Sequence, residues 1–299
     1  MLDALLPWMY LWPVLPVVVL GGVLFLMLVH LFLGCSLLFV YLLIPPPVLD
    51  QWIHWGVQGF RTKFQPYIHQ VESNLRATFP VSGKEHLVRP SLLLWHPHSL
   101  MSVTSVIHNT FKVEDLSTKI ATHSLFHMVP VVRDMFRYAN AISADYATIK
   151  QTLATQSVIV MPGGVREIVE EPSPHVIYVG LNKRTGVFRL ALETGVPLVP
   201  VISYGENVLF PSIRNPFNKW LYDHFRIALP LTSVTALSNW VRMYAGPLDP
   251  ISTHIGEPVL TEKVEPTDQN ISELKERYIK QFVELFERTH PPGYSLLFE

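Results

Sequence analysis

Three short apolar runs each lead directly into residues capable of chemistry. Ser91-Leu92-Leu93-Leu94-Trp95 runs into His96-Pro97-His98-Ser99. Ser157-Val158-Ile159-Val160-Met161 runs into Pro162-Gly163-Gly164-Val165-Arg166-Glu167, and Pro197-Leu198-Val199-Pro200-Val201-Ile202 leads to Tyr204-Gly205-Glu206-Asn207. An ordinary histidine titrates near about pH 6.5, so its neutral ring can accept a proton at cytosolic pH. An alcohol attacking a thioester needs that service, because a free hydroxyl is a poor nucleophile. Pro97 fixes the backbone between the two imidazoles, so one ring can face a site while the other packs behind it. The plain alternative is two histidines satisfied by nearby carbonyls. Gly163 and Gly164 suit a tight turn whose backbone N–H groups could meet an oxyanion or a phosphate, although many such pairs are merely turns. Glu167 is either a solvated charge or the carboxylate that orients an imidazole, as the acid does in a catalytic triad.

Two rival chemistries fit less well. A serine hydrolase needs Gly-x-Ser-x-Gly at its nucleophile, and the chain has none. Ser99 adjoins His98 too closely in sequence to be its attacking partner. A metal centre would draw on His96 and His98 with His123 and His127 at helical spacing. Such sites also bring carboxylates, and no Asp or Glu falls between His123 and His127, so no metal is expected.

The elements that position these motifs are legible from pattern. Continuous apolar runs fit strands covered on both faces. Between the first two runs Tyr146, Ile149 and Leu153 recur at helical spacing. Between the second and third, Val187, Leu190, Ala191 and Thr194 do the same, with Gly195 as a helix stop. Strand, helix, strand predicts an α/β fold with a mostly parallel sheet and flanking helices. Ligands of such sheets bind outside the carboxyl ends of the strands, so three motifs at three strand ends predict one site. A closing helix is expected over residues 268–289, with Ile271, Leu274, Tyr278, Phe282 and Leu285 as its buried stripe, Glu273–Arg277 and Glu276–Lys280 as outer pairs, and Pro291-Pro292 as its stop.

The chain has 299 residues, 49% apolar and 16% charged, with a formal charge of -1. A typical soluble domain is about 25% charged, and the deficit points to a membrane. Near-zero net charge excludes the basic face that nucleic acid requires. From Val14 to Ile44 no side chain is charged, and only Asp3 interrupts the stretch before it. About 20 residues suffice for one span, so residues 1–47 are expected to form a membrane anchor, either a helical hairpin broken near Gly21-Gly22 or one long tilted span entered through Pro13 and Pro16. A signal peptide would be shorter and preceded by positive charge. Arg61, Lys63, Arg76 and Lys84 follow the run, which predicts a cytosolic location for everything after Ile44. Residues 48–89, rich in Trp52, Trp55, Phe60, Phe64 and Tyr67, are expected as an interfacial linker or as ordinary core. Residues 90–299 form the principal domain.

These motifs resemble the type-2 diacylglycerol acyltransferase family, which includes monoacylglycerol acyltransferases and wax synthases. The resemblance covers residues 78–290. Thr78-Phe79-Pro80 resembles a Tyr-Phe-Pro block, and His96-Pro97-His98-Ser99 a His-Pro-His-Gly block with Ser at its last position. Gly163-Gly164-Val165-Arg166-Glu167 is similar to Gly-Gly-x-x-Glu. Residues 184–207 are similar to the family's longest block, and Gly256-Glu257-Pro258 to a further one. The resemblance implies a glycerolipid-acyltransferase-like fold and transfer of a fatty acyl group from acyl-CoA to a neutral lipid, diacylglycerol first. Acyl-CoA is then a substrate, and no cofactor is implied. His98 takes the catalytic role, and Glu167 stands in for the acid that wider glycerolipid acyltransferases carry five residues after the histidine, where this chain has Val103. Gly163, Gly164, His96, Ser99 and Arg166 are expected to line the site, and Lys183, Arg184 and Arg189 to meet the phosphates of coenzyme A. The family also implies the endoplasmic reticulum membrane and lipid droplets, with the site facing the cytosol. Homo-oligomerisation is left open.

Overall fold

A computed structural model of the chain describes residues 51, 63 and 65–298, except 100–101, 111–115, 129–131, 171–172, 182–183, 212, 214, 226–227, 229–230, 232 and 247. The anchor expected over residues 1–47 lies outside them. Among the described residues no helix is long and apolar enough to cross a membrane. One compact unit runs from Pro66 to Glu299, so residues 66–89 belong to the folded domain rather than to a linker.

Nine strands occur among the described residues: β1 (Val81–Ser82), β2 (Leu92–His96), β3 (Thr118–Thr122), β4 (Ala141–Ser143), β5 (Ser157–Val160), β6 (Val176–Val179), β7 (Leu198–Tyr204), β8 (Ser252–Ile255) and β9 (Ser295–Phe298). Seven form one sheet in the order β1-β8-β7-β2-β5-β3-β4, and β6 pairs in parallel with β9. The three strands expected from the sequence are the adjacent β7, β2 and β5 at its centre. Every pairing in the main sheet is parallel except β7 with β8.

The helices are α1 (Gln65–Thr78), α2 (Val103–Thr110), α3 (Ser124–Met128), α4 (Val132–Tyr138), α5 (Tyr146–Thr152), α6 (Val165–Glu170), α7 (Gly186–Thr194), α8 (Glu206–Leu209), α9 (Pro216–Phe225), α10 (Val234–Ala245) and α11 (Asp268–Thr289). Successive strand residues point to opposite faces, and here both faces are covered. Leu92 and Leu94 of β2 enter a core shared with α5, α7 and α11, while Leu93 and Trp95 enter a second core with Ile120, Ile159, Val199 and Ile255. Burial on both sides is why these strands read as unbroken apolar runs.

The closing helix α11 spans the expected residues, and its stripe of Ile271, Leu274, Tyr278, Phe282 and Leu285 is buried. Thr267 caps its start by accepting from the Asn270 N–H at 3.2 Å. Gly195 ends α7 in the left-handed region at φ 74°. Two of the sequence blocks do structural work. Thr78 donates its hydroxyl to the Asn74 carbonyl at 2.9 Å and accepts the Leu248 N–H at 3.2 Å, while Phe79 is buried in a third core. Gly256 crosses so close to Pro200 and Leu285 that a Cβ there would lie 2.8 Å from Pro200 Cγ and 3.0 Å from Leu285 Cδ2. Gly256→Ala therefore forces β7 and α11 apart, and we expect a loss of about 1–3 kcal/mol, read as a lowered unfolding midpoint of the full chain.

Candidate active site

Because β7, β2 and β5 are parallel neighbours, their carboxyl ends share one edge, and the three motifs meet there. This is the arrangement expected of one site. The two histidines of the first motif part company at Pro97. His96 is fully buried, its ring edge-on to Phe282 with centroids 4.9 Å apart. His98 is half-buried at the rim.

Glu167 sits at the centre of the site. The chain turns after β5 through Gly163 and Gly164, the latter left-handed at φ 58°, and α6 begins at Val165. This turn swings Glu167 back beneath the first motif. Its Oε2 accepts the His98 backbone N–H at 2.7 Å, and its Oε1 accepts the Gly180 N–H at 3.1 Å. His96 Nδ1 lies 3.5 Å from Oε1. The expectation that Glu167 orients the His98 ring is thus corrected, since the carboxylate grips the His98 backbone and faces the His96 ring. A carboxylate held by two N–H groups is a better clamp for a loop than for a rotatable ring.

The His98 ring is oriented by its own loop, with Nδ1 2.8 Å from the Ser99 carbonyl oxygen. A carbonyl can only accept, so Nδ1 carries a proton, and Nε2 is the nitrogen left to face the site. The glycines have a steric task. A Cβ on Gly163 would lie 1.9 Å from Glu167 Oε1, so only glycine lets the carboxylate pass. The Gly164 N–H donates to the Met161 carbonyl at 3.1 Å, which corrects its expected role as an oxyanion donor.

Ser99 ties the loop to a second buried acid. Its hydroxyl donates to Glu206 and accepts the Ser102 N–H at 2.9 Å. Glu206 also accepts from the Val103 N–H and the Thr104 hydroxyl, and so caps α2. Sequence reading placed Glu206 in a motif without giving it a role. The available signal was a lone charge directly after an apolar strand. The two acids diverge electrostatically. Burial alone pushes Glu167 up, but His96 and the His98 and Gly180 N–H groups outweigh it and hold the carboxyl below its ordinary value. For Glu206 burial wins over its donors and the carboxyl is raised. Behind Glu167 the Tyr278 hydroxyl and both ring nitrogens of His96 are buried with no hydrogen-bond partner among the described residues.

Of the remaining expected residues, Arg166 pairs with Glu170 at 2.7 Å. Arg184 and Arg189 are exposed, beside and within the first turn of α7. Lys183 lies outside the described residues. His127 Nε2 meets the Thr122 hydroxyl at 2.8 Å and His123 Nδ1 accepts the Leu125 N–H at 3.2 Å, so each serves its own loop.

Residues 67–295 match the diacylglycerol acyltransferase family along most of the chain. The chain belongs to that family. Within the diacylglycerol acyltransferase family it is similar to 2-acylglycerol O-acyltransferase 1 of Homo sapiens, 26% identical over 68% of this chain and 65% of that protein. It is equally similar to diacylglycerol O-acyltransferase 2 of Dictyostelium discoideum, 26% identical over 66% of this chain and 65% of that one. The match spans just under two thirds of these relatives. The crystal structure of the 1-acyl-sn-glycerophosphate acyltransferase PlsC from Thermotoga maritima is 19% identical, covering 85% of this chain and 89% of that one with a TM-score of 0.44.

Because Gly163 exists to admit Glu167, the Gly163→Ala and Glu167→Ala variants should fail in the same way. We expect the double variant to be no less active than either single one, a coupling of about 1–3 kcal/mol in a double-mutant cycle. The depressed pKa of Glu167 also sets a sign for stability. Its contribution is present above the unfolded value of 4.5 and is lost as pH falls through the lower folded value. Unfolding midpoints of Glu167→Gln and the parent chain should therefore converge as pH drops below 4.5.

Proposed function

We propose that the chain transfers a fatty acyl group from acyl-CoA to the free hydroxyl of a glycerolipid, with diacylglycerol as acceptor and triacylglycerol as product. The single observation that carries this reading is the His98 ring, half-buried after a strand end with Nδ1 on the Ser99 carbonyl, which leaves Nε2 as the nitrogen to act as a base. Family membership supplies the reaction class, and the relatives' names include acceptors with one and two acyl chains.

His98 Nε2 takes the proton of the acceptor hydroxyl as its oxygen attacks the thioester carbonyl. The tetrahedral intermediate collapses, the C–S bond breaks, and the imidazolium returns the proton to the departing thiolate. The Ser99 carbonyl stabilises the positive ring at Nδ1, the task that a carboxylate performs in a triad. Glu167 is a positioning residue, holding the His98 backbone while His96 faces its charge. No covalent enzyme intermediate is required. Arg184 and Arg189 are our candidates for the phosphates of coenzyme A, a reading their exposure supports. The uncharged run from Val14 to Ile44 supports a membrane anchor and the basic residues after it a cytosolic site, while the endoplasmic reticulum is what the family resemblance implies.

Microsomes carrying the full chain, fed labelled acyl-CoA with diacylglycerol, monoacylglycerol or a long-chain alcohol in turn, test this reading. We expect triacylglycerol, and a fall of about 10²–10⁴-fold in His98→Ala. Undiminished transfer in His98→Ala would refute the general-base assignment, and a different labelled product would name a different acceptor.

A further inference from the structure

Helix α9 faces the wrong way for a helix in water. Its buried side chains are Asn218 and Tyr222. Its exposed side chains include Phe217, Trp220 and Phe225, 53%, 48% and 60% exposed. The rings cluster in the open, with Trp220 stacked on Phe217 at 6.0 Å and edge-on to Phe225 at 5.7 Å. Helix α10 repeats the inversion at its start, where Val234 and Leu237 are 84% and 60% exposed while Ala236 and Asn239 are buried. A soluble surface seldom leaves so many large apolar groups side by side, and doing so marks an interaction face.

The location of this face narrows its partner. Helix α9 packs against α6, the helix that carries Glu167. At the same edge of the sheet, α3 starts directly after the carboxyl end of β3, the parallel neighbour of β5, and exposes Leu125, Phe126 and Met128. The apolar groups of α9 and α3 therefore belong to elements at, or packed against elements at, the edge where the three motifs lie. Tryptophan and phenylalanine among scattered polar residues are the composition of a membrane–water interface. The sequence ahead of the described residues also carries the uncharged run from Val14 to Ile44, long enough to cross a bilayer.

We propose that the outward faces of α9 and α10 dock on a lipid bilayer, so that the edge bearing His98 opens onto the leaflet. The inference rests on the acyl-transfer reading for its purpose, delivery of a lipid acceptor, and on exposure alone for its geometry. Docking places the catalytic ring where the acceptor dissolves, and acyl-CoA reaches the same edge from water.

The test uses the full chain reconstituted in phosphatidylcholine vesicles, with the sole cysteine replaced by Cys35→Ser and single labels placed through Trp220→Cys, Val234→Cys or Gln156→Cys. Gln156 is exposed at the amino end of β5, the opposite edge of the sheet, and serves as control. With a nitroxide on the lipid near the headgroup, the labels at 220 and 234 should be quenched at least about two-fold more than the label at 156, as expected for an apolar face seated in the interface. Equal quenching at all three positions would overturn the proposal. So would protection of 220 and 234 accompanied by disulfide cross-linking between copies, which would make the face a self-association surface. Acyl transfer assayed on the same vesicles separates the two readings. Quenching without transfer keeps the docking and removes the acyl-transfer reading, whereas transfer without quenching does the reverse.

Discussion

The site depends on one carboxylate placed where a charge is costly. Burying an ion costs several kcal/mol unless partners replace its water. Glu167 obtains those partners from the His98 N–H and the Gly180 N–H, with His96 Nδ1 3.5 Å away. The partners belong to two segments, so satisfying the charge draws the end of β2 and the approach to α7 onto the turn after β5. The glycine at 163 follows from the same constraint, because any side chain there would occupy the space of the carboxylate. The spacing of Gly-Gly-x-x-Glu is thus a packing rule.

The second acid completes the scaffold from the opposite side. Glu206 holds Ser99 and the first turn of α2, so the loop bearing His98 is pinned by Glu167 before the ring and by Glu206 after it. The two carboxyls are pushed in opposite directions, Glu167 down by His96 and its N–H donors and Glu206 up by burial. Environments that separate neighbouring carboxyls in this way allow one to stay charged while the other leans towards a proton. Between them the His98 ring needs no acid of its own, since the Ser99 carbonyl already fixes its tautomer.

Much of this was legible in the sequence because burial leaves periodic traces. The strands β2, β5 and β7 are covered on both faces, which produces unbroken apolar runs, and α11 is covered on one, which produces a stripe at helical spacing. Parallel pairing then places three motifs at one edge without further information. The contacts of Glu167 were not legible, because pattern shows which residues approach one another and not which atoms touch. The two-residue β1 and three-residue β4 are too short to show a period, and the antiparallel β8 pairs through backbone bonds that any side chain permits.

The inverted helices fall outside that logic, and for a physical reason. Periodicity identifies an apolar face but assumes that the face turns inward. In α9 the polar Asn218 is buried while Trp220 is exposed, so a reading based on water as the only solvent assigns the two sides backwards. A lipid surface removes the contradiction, because an aromatic stripe at the interface is as well solvated there as a core residue is inside. The proposed docking would also account for the half-exposed position of His98. On that proposal, a base serving a hydroxyl anchored at the lipid interface stands at the rim the lipid reaches, the edge where β2, β5 and β7 end.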